Sequence, residues 1–235
     1  MKKEKILRDH FEKIIYSKEN WNLLQKKRKH AIKLLEIFFR EGFNPYVHGS
    51  IARGDTHESS DIDLVFFHQV PSFQIELILD KNGYSNYFRE IIMATPSDSI
   101  KLYIYLSEIE SITIPLSKFE RKSMEFYDFG GKLDINQLKM DIRVPGIDKR
   151  LVLIKPISEG HEEFSIFGNE ANVAKDLGIS IDIINEREKV LLRREKYGKT
   201  GVFLKRPIQM NETIEEVLKK IAKKKSIIRK KLLKK

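Results

Sequence analysis

The sequence predicts an α/β (α+β) protein, with a mixed sheet carrying helices on one face and a small helical C-terminal domain after it. Three observations predict this class. Residues 20–41 carry apolar side chains at helical spacing. The apolar runs that follow are short and rich in β-branched and aromatic residues, as strands are. Beyond residue 170, Ala174, Gly178 and Ile184 fall at the spacing of two helices joined by a tight turn.

The elements follow in order. Ala31, Ile32, Leu34, Leu35, Phe38 and Phe39 give the first helix its apolar stripe, and Gly42 stops it. Asn44-Pro45 breaks the chain before a strand over 45–48. A short helix over 51–56 leads into a strand that opens Asp61-Ile62-Asp63-Leu64. Residues 71–80 are helical, with Phe73, Leu77 and Ile78 on one side, and Lys81-Asn82-Gly83 is a turn. Strands are predicted over 84–94, 100–106 and 111–116. Phe126-Tyr127-Asp128-Phe129-Gly130-Gly131 reads as a loop clamped by aromatics, and residues 144–148 as a turn into a strand over 151–154. Thr213 and Glu216 form a capping box for a last helix, whose apolar face is Val217, Leu218, Ile221 and Ala222. The division is an N-terminal helical segment (1–42), a main domain (43–155), a helical domain (156–210) and a basic helix or tail (211–235).

Composition excludes several classes. With 235 residues and 41% hydrophobic content the chain can bury a real core. It has no run of about 18 apolar residues and no signal-peptide core, so no membrane partner is expected. The absence of cysteine excludes disulfides, thiolate metal sites and a cysteine nucleophile, and fits a cytoplasmic protein. Six histidines show no His-x-x-x-His spacing, so no zinc site is expected. The net charge of +10 is localised: residues 219–235 hold ten Lys and Arg and no acid, leaving 34 bases and 34 acids before them. A basic tail on a neutral body points to a polyanion, RNA or DNA.

The chemistry lies in residues 48–64. Alternate residues of a strand share a face, so Asp61 and Asp63 point the same way. Paired carboxylates repel, which is costly unless a cation sits between them. Gly49-Ser50, Ala52-Arg53-Gly54 and Ser60-Asp61-Ile62-Asp63-Leu64 together resemble the signature of the DNA polymerase β-like nucleotidyltransferase superfamily, in a small archaeal-type member. The resemblance spans residues 30–120 and implies a nucleotidyltransferase palm. It implies Mg²⁺ (or Mn²⁺) on Asp61 and Asp63, and an NTP such as ATP whose triphosphate rests on Gly49 and Ser50. Arg53 would neutralise phosphate charge, or else pair with Asp55 or Glu58. His48 and His57 flank the motif as turn or core residues.

The family places a third carboxylate on a neighbouring strand, three residues before a proline. Counted back from Pro115, that slot is Ile112, a departure. Glu110 is the nearest substitute, with Glu125 and Asp128 further off.

Residues 170–206 resemble a winged helix-turn-helix. Val173, Leu177 and Ile179 fill apolar positions around the Ala-Gly-Ile triplet, and residues 193–206 supply the β-hairpin wing. The recognition helix, 180–190, exposes Asp182, Glu186 and Glu188, which phosphates disfavour, while Arg187, Arg193, Arg194, Lys196, Lys199, Lys205 and Arg206 offset them. The function implied is metal-dependent transfer of NMP from an NTP to a hydroxyl acceptor, on nucleic acid, with release of pyrophosphate. The rivals are a non-catalytic nucleic-acid-binding or regulatory protein on the same palm, and an NMP transferase acting on protein hydroxyls.

Overall fold

The computed structural model describes residues 5–85, 87–198 and 201–233. It opens with a strand, β1 (Phe11–Ile15), inside the segment expected to be helical. Charged Glu12 and Lys13 mask its periodicity, and its partner lies about 150 residues away. Helix α1 (Lys18–Phe39) starts at Ser17, which forms a reciprocal capping box with Asn20. Its inward stripe is Leu24, Lys27, Arg28, Ala31, Leu34, Leu35 and Phe38, the i, i+3, i+4 rhythm of a core-facing helix.

Next come β2 (Tyr46–His48), the one-turn α2 (Ser50–Arg53), β3 (Ile62–Val65) and α3 (Ser72–Lys81). In α3 the buried face is Ile75, Ile78 and Leu79, whereas Phe73 and Leu77 are half exposed, so the predicted apolar side is rotated. Strands β4 (Phe88–Met93), β5 (Lys101–Tyr105) and β6 (Glu110–Pro115) fall where expected. Helix α4 (Arg121–Gly130) replaces the predicted aromatic loop: burial of Tyr127 and Phe129 outweighs their weak helix propensity. Then follow β7 (Lys132–Leu133), α5 (Ile135–Lys139), β8 (Gly146–Ile147), β9 (Val152–Ile157), β10 (Gly160–Ser165), α6 (Glu170–Leu177) and α7 (Ile181–Tyr197). The chain ends with β11 (Leu204–Ile208), α8 (Ile214–Lys224) and α9 (Ser226–Leu233).

Seven strands form the main sheet in the order β11-β4-β5-β6-β3-β2-β7. Only the β3–β6 pairing is parallel. One face carries the main core, where Leu64, Ile91, Leu102 and Ile112 meet Leu34, Leu35 and Phe38 of α1, Ile75 of α3, Val217 of α8 and Ile228 of α9. Fully burying each aliphatic side chain is worth roughly 1.5–3 kcal/mol. On the opposite face α4 packs over the β2–β3 end, where Val65, Phe119 and Tyr127 cluster, and its Phe126 and Tyr127 rings reach Lys101 of β5. On this face of β4, Phe88 is 49% exposed whereas Glu90 is buried.

The second sheet, β1-β10-β9-β8, packs on α6 and α7 through Leu153, Ile166, Ala174, Ile179 and Ile184. Gly146 lets β8 meet the end of α4, since a Cβ there would stand 2.6 Å from the Gly130 carbonyl carbon.

The C-terminal region corrects two expectations. Helices α6 and α7 do join through Gly178, at φ 65°, with Ala174, Ile179 and Ile184 buried between them. No hairpin wing follows among the described residues. Arg193 to Tyr197 continue α7, Lys199 and Thr200 lie outside the described residues, and Leu204–Ile208 becomes an edge strand of the main sheet, paired with β4. The basic tail docks: Ile214, Val217 and Ile228 are buried in the main core, which leaves most Lys and Arg of α8 and α9 exposed. Lys234 and Lys235 lie outside the described residues. Among the described residues no helix is long and apolar enough to cross a membrane.

Candidate active site

The turn after β2 is shaped by Gly49, whose φ of 82° an L side chain tolerates poorly. A Cβ there would touch no protein atom, so the backbone angle, not crowding, demands glycine. The Gly49 N–H donates to the Gly131 carbonyl at 2.9 Å, and Ser50 opens α2. Two cations of α1 fix the motif from below. Arg28, 2% exposed, donates from Nε to the Ile51 carbonyl (3.2 Å) and from Nη2 to the Ala52 carbonyl (3.1 Å), carbonyls that a one-turn helix leaves unpaired. Burial lowers the Arg28 pKa to about 10. The Lys27 Nζ donates to the Glu58 and Ser60 carbonyls at 2.8 and 2.9 Å, holding the loop that delivers Asp61. Sequence reasoning missed both residues. Their signal was the helical stripe itself, in which Lys27 and Arg28 occupy core-facing positions between Leu24 and Ala31.

Ser60 fixes the turn before β3, accepting from the His57 N–H at 3.0 Å. Asp61 stands at the rim of the cleft and Asp63 inside β3, on either side of buried Ile62. Partial desolvation, then the Asp63 charge, raises the Asp61 carboxyl above the ordinary value. Asp63 faces His48 across the β2–β3 pair. The His48 Nδ1 is buried without a hydrogen-bond partner, and its ring lies 5.0 Å from that of Tyr127. Desolvation lowers the His48 pKa, which favours the neutral ring beside Asp63.

Arg53 does not reach into the cleft as a bare cation. It forks onto Asp55 (Nε–Oδ1 3.0 Å, Nη2–Oδ2 2.9 Å) and donates from Nη1 to the Gly130 carbonyl at 2.7 Å. It therefore ties the motif to the end of α4, the ion-pair option of the two the sequence offered.

The position beside Asp63 on β6 is Ser111, whose hydroxyl donates to Asp63 Oδ1 at 2.5 Å. Ile112, the slot counted from Pro115, faces the helices. Glu110 also faces away from Asp63. It pairs with His30 of α1 at 2.6 Å and accepts from the Ser107 hydroxyl. Glu125 is held by Arg121 and Ser180, and Asp128 by Lys132. None of the three candidate acids meets Asp63.

A cleft of about 840 Å³ joins this motif to the second sheet and α7, with Gly49, Ser50, Asp61 and Asp63 along one wall. The other wall carries Asp148, Arg150, His161 and Glu163. Arg150 bridges Asp148 and Glu163, and His10 bonds Glu163 at 2.6 Å. Burial alone would raise Glu163, but hydrogen bonds from His161, Arg150 and His10 hold it down to about 2. His10, Glu12 and Glu163 stand close enough to share a cation, yet the Arg150 guanidinium already neutralises Glu163. The Tyr16 hydroxyl joins the two walls, donating to the Gly54 carbonyl at 2.8 Å and meeting His161 Nδ1 at 2.7 Å.

Residues 28–159, more than half of the chain, match the family described as Nucleotidyltransferase domain. No curated protein and no solved structure matches the chain.

Proposed function

This chain belongs to the nucleotidyltransferase domain family and is a nucleotidyltransferase, and from that premise we propose that it transfers NMP from an NTP to a hydroxyl of a nucleic-acid acceptor, releasing pyrophosphate. The observation that carries this reading is the placement of Asp61 and Asp63 in one cleft with the Gly49-Ser50 turn. The acceptor oxygen forms a bond to the α-phosphorus, and the bond from that phosphorus to the bridging oxygen breaks. The electron pair leaves on pyrophosphate and the hydroxyl proton passes to water.

The donor set fits a divalent cation. Asp61 and Asp63 are hard oxygen ligands, and partial burial, then the Asp63 charge, raises the Asp61 carboxyl. Mg²⁺ or Mn²⁺ held there would offset the charge that builds on the phosphates during transfer. Among the described residues β6 adds no acid on the Asp63 face, and Ser111 orients Asp63 instead. The Ser50 hydroxyl is suited to the triphosphate as a donor, on a turn that Gly49 shapes while its own N–H is held by the Gly131 carbonyl. Arg28, Lys27 and Arg53 act one layer out, keeping those groups in place.

Two observations favour nucleic acid as acceptor. His48, Asp63, Ser111, Tyr105 and Phe88 form one transverse row across the sheet. Phe88 stacks on Tyr105 at 5.8 Å, and Tyr105 on Tyr103 at 6.1 Å, so an aromatic row leads from Asp63 to exposed Phe88. Exposed Lys and Arg of α8 and α9 add positive charge. The test incubates the protein with α-labelled NTPs, Mg²⁺ and total RNA, DNA or protein. Labelled nucleic acid with wild type, and none with Asp61→Asn or Asp63→Asn, supports the reading. Equal labelling by all three overturns it, and label in protein alone overturns the acceptor.

A further inference from the structure

The cleft holds five Arg and Lys side chains, and they are not equivalent. Arg53 is neutralised by Asp55, and Arg150 by Asp148 and Glu163. Lys149 is exposed at the rim, near Asp61. The remaining two, Arg187 and Arg194, lie seven residues apart on α7, two helical turns, and so share a face. That face lines the cleft, with Leu191 between them. Neither guanidinium has an ion pair within 4 Å among the described residues. The Arg187 Nε is buried without a hydrogen-bond partner, and its guanidinium lies 4.8 Å over the Phe126 ring. Burial, then repulsion from Arg194, lowers the Arg187 pKa to about 10. Glu186 and Asp98 act on Arg187 in the opposite sense without offsetting the burial and the Arg194 charge, so this pair of like charges favours an entering anion.

We propose that Arg187 and Arg194 of α7 bind the terminal phosphates of the NTP and take up the charge that the departing pyrophosphate acquires. The inference rests on the reading of Asp61 and Asp63 as the transfer site, and extends it to residues outside the matched segment 28–159. Guanidinium forks match phosphate oxygens in geometry and stay charged throughout turnover. A triphosphate in the cleft brings several negative charges against a wall whose other arginines are already paired. In this account the helix placed like a recognition helix turns its basic face inward. Its acidic side chains lie elsewhere, with Glu186 paired to Lys122 of α4.

The test measures binding of ATP, ADP and AMP in Mg²⁺ by calorimetry to wild type, Arg187→Met, Arg187→Lys and Arg194→Met. Each Met variant is expected to weaken ATP at least tenfold and to leave AMP within twofold, with Arg187→Lys recovering part of the loss. Met variants that bind ATP like wild type, or that lose ATP and AMP equally, overturn the proposal. Arg194 is exposed, so Arg194→Met carries the test if Arg187→Met does not fold. A wild type that binds ATP no better than AMP overturns the transfer-site reading as well. A wild type that prefers ATP beside indifferent variants overturns only this inference.

Discussion

Ser111 donates its hydroxyl hydrogen to Asp63 Oδ1 at 2.5 Å, from the neighbouring strand where the family places a third carboxylate. Placing an acid there tests both the geometry and the cation. Ser111→Asp is expected to destabilise the metal-free protein by about 3 kcal/mol, the repulsion of unit charges ~5 Å apart at an effective dielectric of ~20. Added Mg²⁺ should recover that loss and raise the melting temperature more than in wild type. Thermal melts with EDTA and with Mg²⁺ read it, and a Mg²⁺-independent loss counts against a cation at Asp63.

Arg28 supports the site from the core. Arg28→Met removes its donors from the Ile51 and Ala52 carbonyls; Ala52 keeps the Val144 N–H at 3.3 Å, and the Ile51 carbonyl is left without the guanidinium. The expected cost is about 1–3 kcal/mol in urea unfolding, that of one orphaned buried group. Transfer activity should fall in protein that remains folded, because α2 carries Ser50. A change below ~0.5 kcal/mol with full activity would contradict this role.

Glu163 predicts an acid limb to stability. Its folded pKa of about 2 lies below the ordinary 4.5, so its contribution is present above pH 4.5 and is lost as pH falls toward 2. After discount for screening this is on the order of 2 kcal/mol. Urea unfolding of wild type and Glu163→Gln should differ most at pH 6 and converge as pH falls to about 2. A gap that stays constant with pH would show that Glu163 is not held ionised by Arg150, His10 and His161.

The aromatic row makes a separable prediction for the acceptor. Phe88→Ala and Tyr105→Ala should each weaken single-stranded oligonucleotide binding by roughly 1–3 kcal/mol, with the salt dependence unchanged, since stacking is not ionic. Replacing Lys219, Lys220, Lys223 and Lys224 with Gln should reduce the salt slope instead. Fluorescence anisotropy over a salt series separates the two, and an unchanged affinity in the aromatic variants removes the row from the account.

Much of the site was legible because it is local in sequence. The Gly49-Ser50 turn, the capped α1 and the Asp61-Ile62-Asp63 strand all fall within residues 17–65, where propensity, turn chemistry and pattern agree. What was illegible depended on distant partners. Strand Leu204–Ile208 reads as a strand in isolation, but only pairing with Phe88–Met93 makes it an edge of the main sheet and not a wing. Phe11–Ile15 needs Gly160–Ser165 beside it before its charged pattern makes sense. The third-acid question failed on strand parity: counting back from Pro115 lands on Ile112, which faces the helices, while one residue earlier Ser111 faces Asp63. Helical periodicity identified α7 but not which face would meet the cleft.

Transfer of NMP, as proposed, requires that the bond between the α- and β-phosphates breaks in the cleft and that NMP stays on the acceptor. Parallel reactions with NTP labelled at the α- or the γ-phosphate, with Mg²⁺ and the acceptor, test it most directly. We expect α-label to join the acceptor, γ-label to leave as pyrophosphate in equal amount, and Asp63→Asn to abolish both. Transfer of the γ-label to the acceptor, or equal α-label transfer by Asp63→Asn, would contradict it.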